Sequence, residues 1–290
     1  MKWTPGGVSK DVEDRRGETG GGGGFGGGRI RLGLGGALVL LVLSLIFRQN
    51  LFQFLETGGA PGTAPSGAPA ASTPAEDTLV QFVSFVLDST QSMWARTLAS
   101  QGVAYRDAQL VLFRDGIESA CGFAETAAGP FYCPGDNKVY IDLGFYQELR
   151  DRFGASGDFA QAYVLAHEIG HHIQTLLGTE ADVRRSQRLR GGRSNELSVR
   201  MELQADCYAG VWGHTADQEH ILDAGDFEEG MRAAAAVGDD RLQRMATGPV
   251  NPESFTHGTS AERAAWFRRG FTTGRIDACD TFSGSVDIPE

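Results

Sequence analysis

The chain has 290 residues, of which 41% are hydrophobic and 22% charged, with a formal net charge of -11 and a pI near 5.0. That is enough apolar material for one large globular domain or two small ones. The acidic balance argues against nucleic acid as the main partner, because phosphate recognition needs a basic face.

The 40 glycines are uneven along the chain, with many at or before Gly62. Residues 1–29 are polar and then Gly-rich, and the run from Gly20 to Gly28 cannot bury apolar surface, so this stretch reads as a disordered tail. Leu32 to Phe47 (LGLGGALVLLVLSLIF) is uncharged and apolar, and Ile30 before it and Leu51, Phe52, Phe54 and Leu55 after it extend the run. The stretch 30–55 is therefore read as one transmembrane helix. Two other readings compete. A cleaved signal peptide would carry an n-region of roughly thirty residues and lacks a small-x-small site close behind the run. A buried soluble helix would need a core nearby, and the flanks are linker-like. Arg29 and Arg31 precede the run, with Lys10, Arg15 and Arg16 further back, while only Arg48 follows closely. The positive-inside rule then places the N-terminus in the cytoplasm and the rest of the chain outside, as a single-pass protein of the cell membrane. Residues 56–75, with GGAPGTAPSGAPAASTP from Gly58 to Pro74, form a flexible spacer, and residues 76–290 the folded domain.

Within that domain the pattern is helical with a little strand. Leu79, Phe82, Val83, Val86 and Leu87 recur at helical spacing, which predicts a helix from Glu76 to Ala99. Ala108 to Phe113 and Asn137 to Leu143 read as strands, and Gly144 to Phe153 as a short helix. Asp158 is placed to cap a helix that runs to Leu177 and stops at Gly178. Arg184 to Arg193 reads as an exposed basic loop. A helix follows over Ser194 to His214. Asp226 with Glu229, and Thr259 with Glu262, fit capping boxes ahead of helices to Val237 and Arg269.

Cys121, Cys133, Cys207 and Cys279 include no C-x-x-C pair, which disfavours a zinc ribbon or a thioredoxin motif. Four unpaired, partly buried thiols are one reading. The even count and the expected oxidising compartment favour two disulfides, Cys121 with Cys133 closing a short loop and Cys207 with Cys279 tying the tail to the body.

The chemistry concentrates at His167-Glu168-Ile169-Gly170-His171. Residues i and i+4 share a helix face, so both imidazoles can reach one ion, and Glu168 lies one step round, where it can serve a water as general base. Gly170 leaves room at the ion. A catalytic zinc takes a third protein ligand and keeps one open position. Glu202 is the best candidate, with Asp206 one turn further along to accept the outer N–H of a bound imidazole. An ordinary acidic face would explain such a pair, but Met201, Leu203, Ala205 and Cys207 make the surroundings apolar. Glu196 is a rival ligand. His172 points elsewhere on the helix. His214 and His220 read as surface. His257, in a loop ahead of a capped helix, is either an oxyanion donor or a structural residue, and Arg263 is a weaker candidate for the donor role.

The segments AHEIGHH, MELQADCYAGVW, GPFYCPGDNKVYIDLGFY and ESFTHGTSAERAAWF resemble the bacterial family of neutral zinc metallopeptidases that includes the YpfJ-type proteins, over about residues 78–282. The resemblance implies an α+β, mainly helical, zincin-like domain with a small sheet, gluzincin in outline, here preceded by the transmembrane helix. It implies one Zn2+ per chain on His167, His171 and Glu202, Glu168 as catalytic base and Asp206 behind the ligands. The reaction expected is hydrolysis of a peptide bond in a peptide or protein substrate, with His257 as a second catalytic residue. By analogy with zincins, the strand Asn137 to Leu143 is expected to offer an edge to an extended peptide. Two alternatives stay open: a zinc-binding scaffold with an unused peptidase site, and a hydrolase of cell-wall amides.

Overall fold

Two buried strands hold the sheet together. In the computed structural model, which describes residues 1–18, 72–125, 129–190, 194–246 and 248–283, β2 (Gln109–Phe113) and β6 (Lys138–Asp142) run parallel at its centre. Successive side chains on a strand point to opposite faces. Leu110, Leu112, Val139 and Ile141 therefore enter the main core, while Val111, Phe113 and Tyr140 meet a smaller cluster with Ile117 of β3. The strands β3 (Gly116–Ser119) and β4 (Gly122–Glu125) form a separate hairpin. One outer strand, β5 (Phe131–Cys133), is antiparallel to β6; the other, β1 (Val12–Asp14), is parallel to β2, so the order is β1-β2-β6-β5.

The helices pack around α3 (Asp158–Leu176), which carries the H-E-x-x-H run. Its neighbours are α1 (Pro74–Ala99), α4 (Thr179–Arg190), α5 (Ser194–Gln218), α6 (Asp226–Ala236) and strand β5, so it is buried on nearly every side. Two short helices lie further out: α2 (Gly144–Asp151) contacts β6, and α7 (Asp239–Ala246) contacts the last helix. The last helix, α8 (Ser260–Thr273), begins with a capping box in which Thr259 and Glu262 exchange hydrogen bonds, as its sequence predicts. It packs on α5 through glycines: a Cβ on Gly270 would lie 1.9 Å from the Cys207 carbonyl, and one on Gly210 would lie 2.1 Å from the Phe267 carbonyl. This close approach brings Arg263 of α8 against Asp206 of α5. The disulfides Cys121–Cys133 and Cys207–Cys279 are both formed.

The N-terminal expectation needs correction. Residues 1–18 are part of the fold, not a disordered tail. β1 pairs with Leu110, Val111 and Leu112, Trp3 packs edge-on against Phe82 at 5.4 Å, and the Lys2 amide donates to the Ile221 carbonyl at 2.6 Å. The Met1 ammonium lies 2.8 Å from Asp158 at the start of α3. The expected span, 30–55, and most of the spacer, 56–75, lie outside the described residues, and no described helix is long and apolar enough to cross a membrane. A single crossing between residue 18 and residue 72 would put β1 and β2 on opposite sides of a bilayer, yet they are hydrogen-bonded in one sheet. The single-pass anchor, the membrane as partner and the cytoplasm-to-outside topology are therefore withdrawn.

Smaller corrections follow from local chemistry. Arg184 to Arg190 belongs to helix α4, not to a loop, and the pairs Glu180–Arg184 and Asp182–Arg185 lie at helical spacing. The caps of α3 and α6 are Gly157 and Gly225, both with positive φ, so Asp158 and Asp226 are first-turn residues and no Asp226/Glu229 capping box forms. β1, β3, β4, β5 and α7 were not anticipated.

Candidate metal centre

His167 and His171 leave α3 on the face that meets α5, where Glu202 projects between them. His167 Nε2 is 3.2 Å from Glu202 Oε2, and His171 Nε2 is 3.5 Å from Glu202 Oε1. Donors about 2.0 Å from a tetrahedral zinc lie about 3.3 Å from one another, so two nitrogens and a carboxylate at these separations fit that ion. All three donor atoms fall within 4.8 Å of each other. Glu196, the rival ligand, is outside this group: it is half exposed and pairs with Arg200 at 3.1 Å.

Behind His167 stands a buried charged wall. Asp206 Oδ1 accepts from His167 Nδ1 at 2.9 Å and also from the Tyr163 hydroxyl. Arg263 donates to both carboxylate oxygens, from Nε at 2.8 Å and from Nη2 at 3.0 Å. The side chains of Asp206 and Arg263 are 0% and 4% exposed, so each neutralises the other out of reach of water. With Nη1 turned to the Val237 carbonyl, Arg263 is committed to this wall, and the expected oxyanion role does not fit it. Because Nδ1 of His167 carries the hydrogen, Nε2 is the nitrogen left to ligate.

Behind His171 the wall is neutral. Its Nδ1 donates to Gln174 Oε1 at 2.8 Å, and the Gln174 amide donates to the Met201 carbonyl at 2.7 Å and to Gln204 Oε1 at 3.1 Å. Gln174 was not anticipated, although its i+3 spacing from His171 was a usable signal. Gly170 serves packing, not the ion: a Cβ there would lie 3.0 Å from the Ala205 carbonyl, so the missing side chain lets α3 approach α5.

Charge balance follows from these contacts. Burial disfavours the His167 imidazolium, but the Asp206 charge and hydrogen bond, with the Glu202 hydrogen bond, outweigh it and raise its pKa to about 10. His171 is raised in the same way by Glu202, against its own burial. Burial would raise the Glu202 carboxyl, yet His171 and His167 hold it well below the usual range. Asp206 is likewise lowered, by Arg263 and His167 against burial.

The centre opens into a cavity of about 590 Å3 that follows α3 from Val164 past Glu168 and His171 to Glu180 and Arg184 of α4. His257 lines the same cavity with its side chain 48% exposed. Its Nδ1 is held by Asp239 Oδ1 at 3.1 Å, and Asp239 Oδ2 accepts the backbone N–H of Thr256, His257 and Gly258 at 2.7, 2.6 and 3.2 Å. Asp239, at the start of α7, was missed along with that helix. The strand Asn137 to Leu143 is not an edge: β6 is paired on both sides, and β5 forms the sheet's edge and lines the cavity at Phe131 and Tyr132.

This combination defines a helical, sheet-backed domain with an H-E-x-x-H helix and a Glu on a following helix. The family model described as "Putative neutral zinc metallopeptidase" matches residues 1–282, and the chain belongs to that family. The chain is 45% identical to the uncharacterized protein YpfJ of Escherichia coli (strain K12) over 288 residues, 99% of this chain and all of that one. It is 43% identical over 209 residues to the uncharacterized protein Rv2575 of Mycobacterium tuberculosis (strain H37Rv), covering 68% of this chain and 69% of the relative. No solved structure matches it.

Proposed function

We propose that the chain is a zinc-dependent endopeptidase in which His167, His171 and Glu202 hold one metal ion and Glu168 is the general base. The observation that carries this reading is the convergence of two imidazole nitrogens and a carboxylate at 3.2 and 3.5 Å, with Glu168 lining the same cavity one residue along. Zinc held there supplies Lewis acidity to a peptide carbonyl and brings the pKa of a water towards about 7. Glu168 takes a proton from the attacking water and delivers it to the departing amine. Burial disfavours the His257 imidazolium, but Asp239, which accepts from Nδ1, and Glu202 raise its pKa above the ordinary value, and in the imidazolium Nε2 also carries a hydrogen that it can donate to the oxygen on which negative charge develops. The cavity runs along α3 on both sides of Glu168, which suits a chain that continues in both directions from the scissile bond, and the edge strand β5 is placed to pair with it.

The test is metal content together with proteolysis. One zinc per chain, sharply weaker retention in Glu202→Ala, and cleavage of unfolded protein that Glu168→Gln abolishes are the expected results. A folded protein that takes up no zinc would end this reading.

A further inference from the structure

We propose that His172, the residue next to a metal ligand, is a positioning residue that pins the substrate-binding edge strand to the metal-bearing helix; this rests on the peptidase reading above. One residue along an α-helix is about 100° of rotation, so His172 points away from the ion while His171 faces it. Its side chain is 1% exposed. Nε2 donates to the Arg106 carbonyl at 2.6 Å, ahead of β2, and a carbonyl can only accept, so the hydrogen is on that nitrogen. The other ring nitrogen, Nδ1, lies 3.1 Å from the hydroxyl of Tyr132 on β5. The imidazole is also clasped edge-on by Tyr132 and Tyr105, at 5.4 and 5.7 Å.

Tyr132 is the residue through which such a pin must act. Alternation along the three residues of β5 sends Phe131 and Cys133 to one face, where Phe131 stacks on Tyr140 at 4.8 Å and Cys133 joins the smaller cluster. Tyr132 alone faces α3. Its hydroxyl also lies 3.1 Å from Asn137 Oδ1, in the turn between β5 and β6, so its single hydrogen is shared between that oxygen and His172 Nδ1, and helix, strand and turn meet at one atom. Strand β5 is short and has only β6 as a sheet partner among the described residues, and its disulfide, Cys133 to Cys121, ties it to the β3–β4 hairpin and not to α3, so its height above Glu168 depends on a contact with that helix. His172 supplies it, and the same helix thereby fixes both the reacting groups and the edge that aligns the peptide.

The experiment uses the full-length, zinc-loaded chain. In His172→Gln the longer side chain can keep the Arg106 contact while the position of Nδ1 is emptied; Tyr132→Phe removes the same bond from the other side. With unfolded casein as the probe, each variant should raise KM by about tenfold, the worth of one buried hydrogen bond, with kcat little changed. The double variant should be no worse than either single one, and zinc content should not move. An unaltered KM, effects that multiply in the double variant, or loss of zinc would overturn the proposal. Amide exchange gives a readout independent of activity. The Phe131 to Cys133 amides should exchange about tenfold faster in both single variants, with those of Val139 to Ile141 unchanged. Unchanged exchange at β5 overturns the pin even if KM rises. Absence of any Glu168-dependent cleavage by the wild type would instead strike the peptidase reading and leave exchange to decide the pin. Tyr132→Phe keeps the question answerable should His172→Gln fail to fold.

Discussion

The two imidazoles of the centre are held by walls of opposite character, although they lie four residues apart on one helix. His167 leans on a buried ion pair, Asp206 with Arg263, reinforced by Tyr163. His171 leans on an uncharged relay, Gln174 to Gln204 and the Met201 carbonyl. A carboxylate behind a ligating imidazole makes it a stronger donor, but a second one would add negative charge to a buried site that already holds Glu202 and Glu168. One charged wall with its own counter-ion, and one neutral wall, fixes both tautomers without that cost.

Removing Asp206 should show the charged wall at its strongest. Asp206→Ala leaves Arg263 buried without its partner and His167 Nδ1 without its acceptor. The expected loss of stability is about 3–5 kcal/mol, with zinc bound about 10- to 100-fold more weakly. Urea unfolding and competition with a chelator measure the two effects separately. Arg263→Met attacks the same wall from the other side and should cost less, about 3 kcal/mol, because Asp206 keeps Tyr163 and His167 as donors. Equal stability in Arg263→Met and wild type would mean that the wall is not a coupled pair.

Part of this candidate centre was legible because its residues come in local pairs, although bringing Glu202 to His167, 35 residues away, took the packing of α3 on α5. His167 and His171, and Glu202 and Asp206, are each an i, i+4 pair, and a helix makes such pairs converge without tertiary knowledge. The counter-ion was not legible as such: Arg263 is 57 residues from Asp206, and the glycine contact of α5 with α8 that brings them together has no local signature. The same holds for β1, which pairs with a strand 98 residues away, Val12 opposite Leu110, and whose polar sequence VED is stabilised by partners such as Lys138 on Glu13. Periodicity also failed in α4, where a run of arginines looked like a loop; the helix-spaced acidic residues Glu180 and Asp182 were the overlooked signal.

Acid–base behaviour separates the walls more gently. In the metal-free protein both imidazoles have raised pKa values, and His167, at about 10, is charged at neutral pH and must lose a proton to ligate. Zinc uptake at pH 7 should release at least about one proton, that of His167, seen by calorimetry in buffers of different ionisation enthalpy. The stability sign follows from the same shift. A folded pKa of about 10 against an ordinary 6.5 means that His167 stabilises the metal-free fold fully below pH 6.5 and ceases to as pH rises through about 10. The lowered carboxyls of Glu202 and Asp206 act in the opposite sense, stabilising at neutral pH and failing as acid protonates them. Release of no proton on zinc binding would contradict the pairing of His167 with Asp206.

The smallest effect belongs to the neutral wall. Gln174→Leu keeps the volume and removes the acceptor of His171 Nδ1 and the donor to Met201. No charge is stranded, so the cost is that of unmet neutral hydrogen bonds, about 1–2 kcal/mol, and zinc affinity should fall by less than about tenfold. Gln174→Glu sharpens the comparison. It gives His171 the kind of partner His167 has, but without an arginine to balance it. If the asymmetry exists to limit buried charge, the metal-free Gln174→Glu protein should be less stable than Gln174→Leu, and zinc should recover part of the difference by supplying the missing positive charge. A Gln174→Glu protein as stable as wild type without metal would show that the site tolerates a second carboxylate, and that the neutral wall answers to geometry and not to charge.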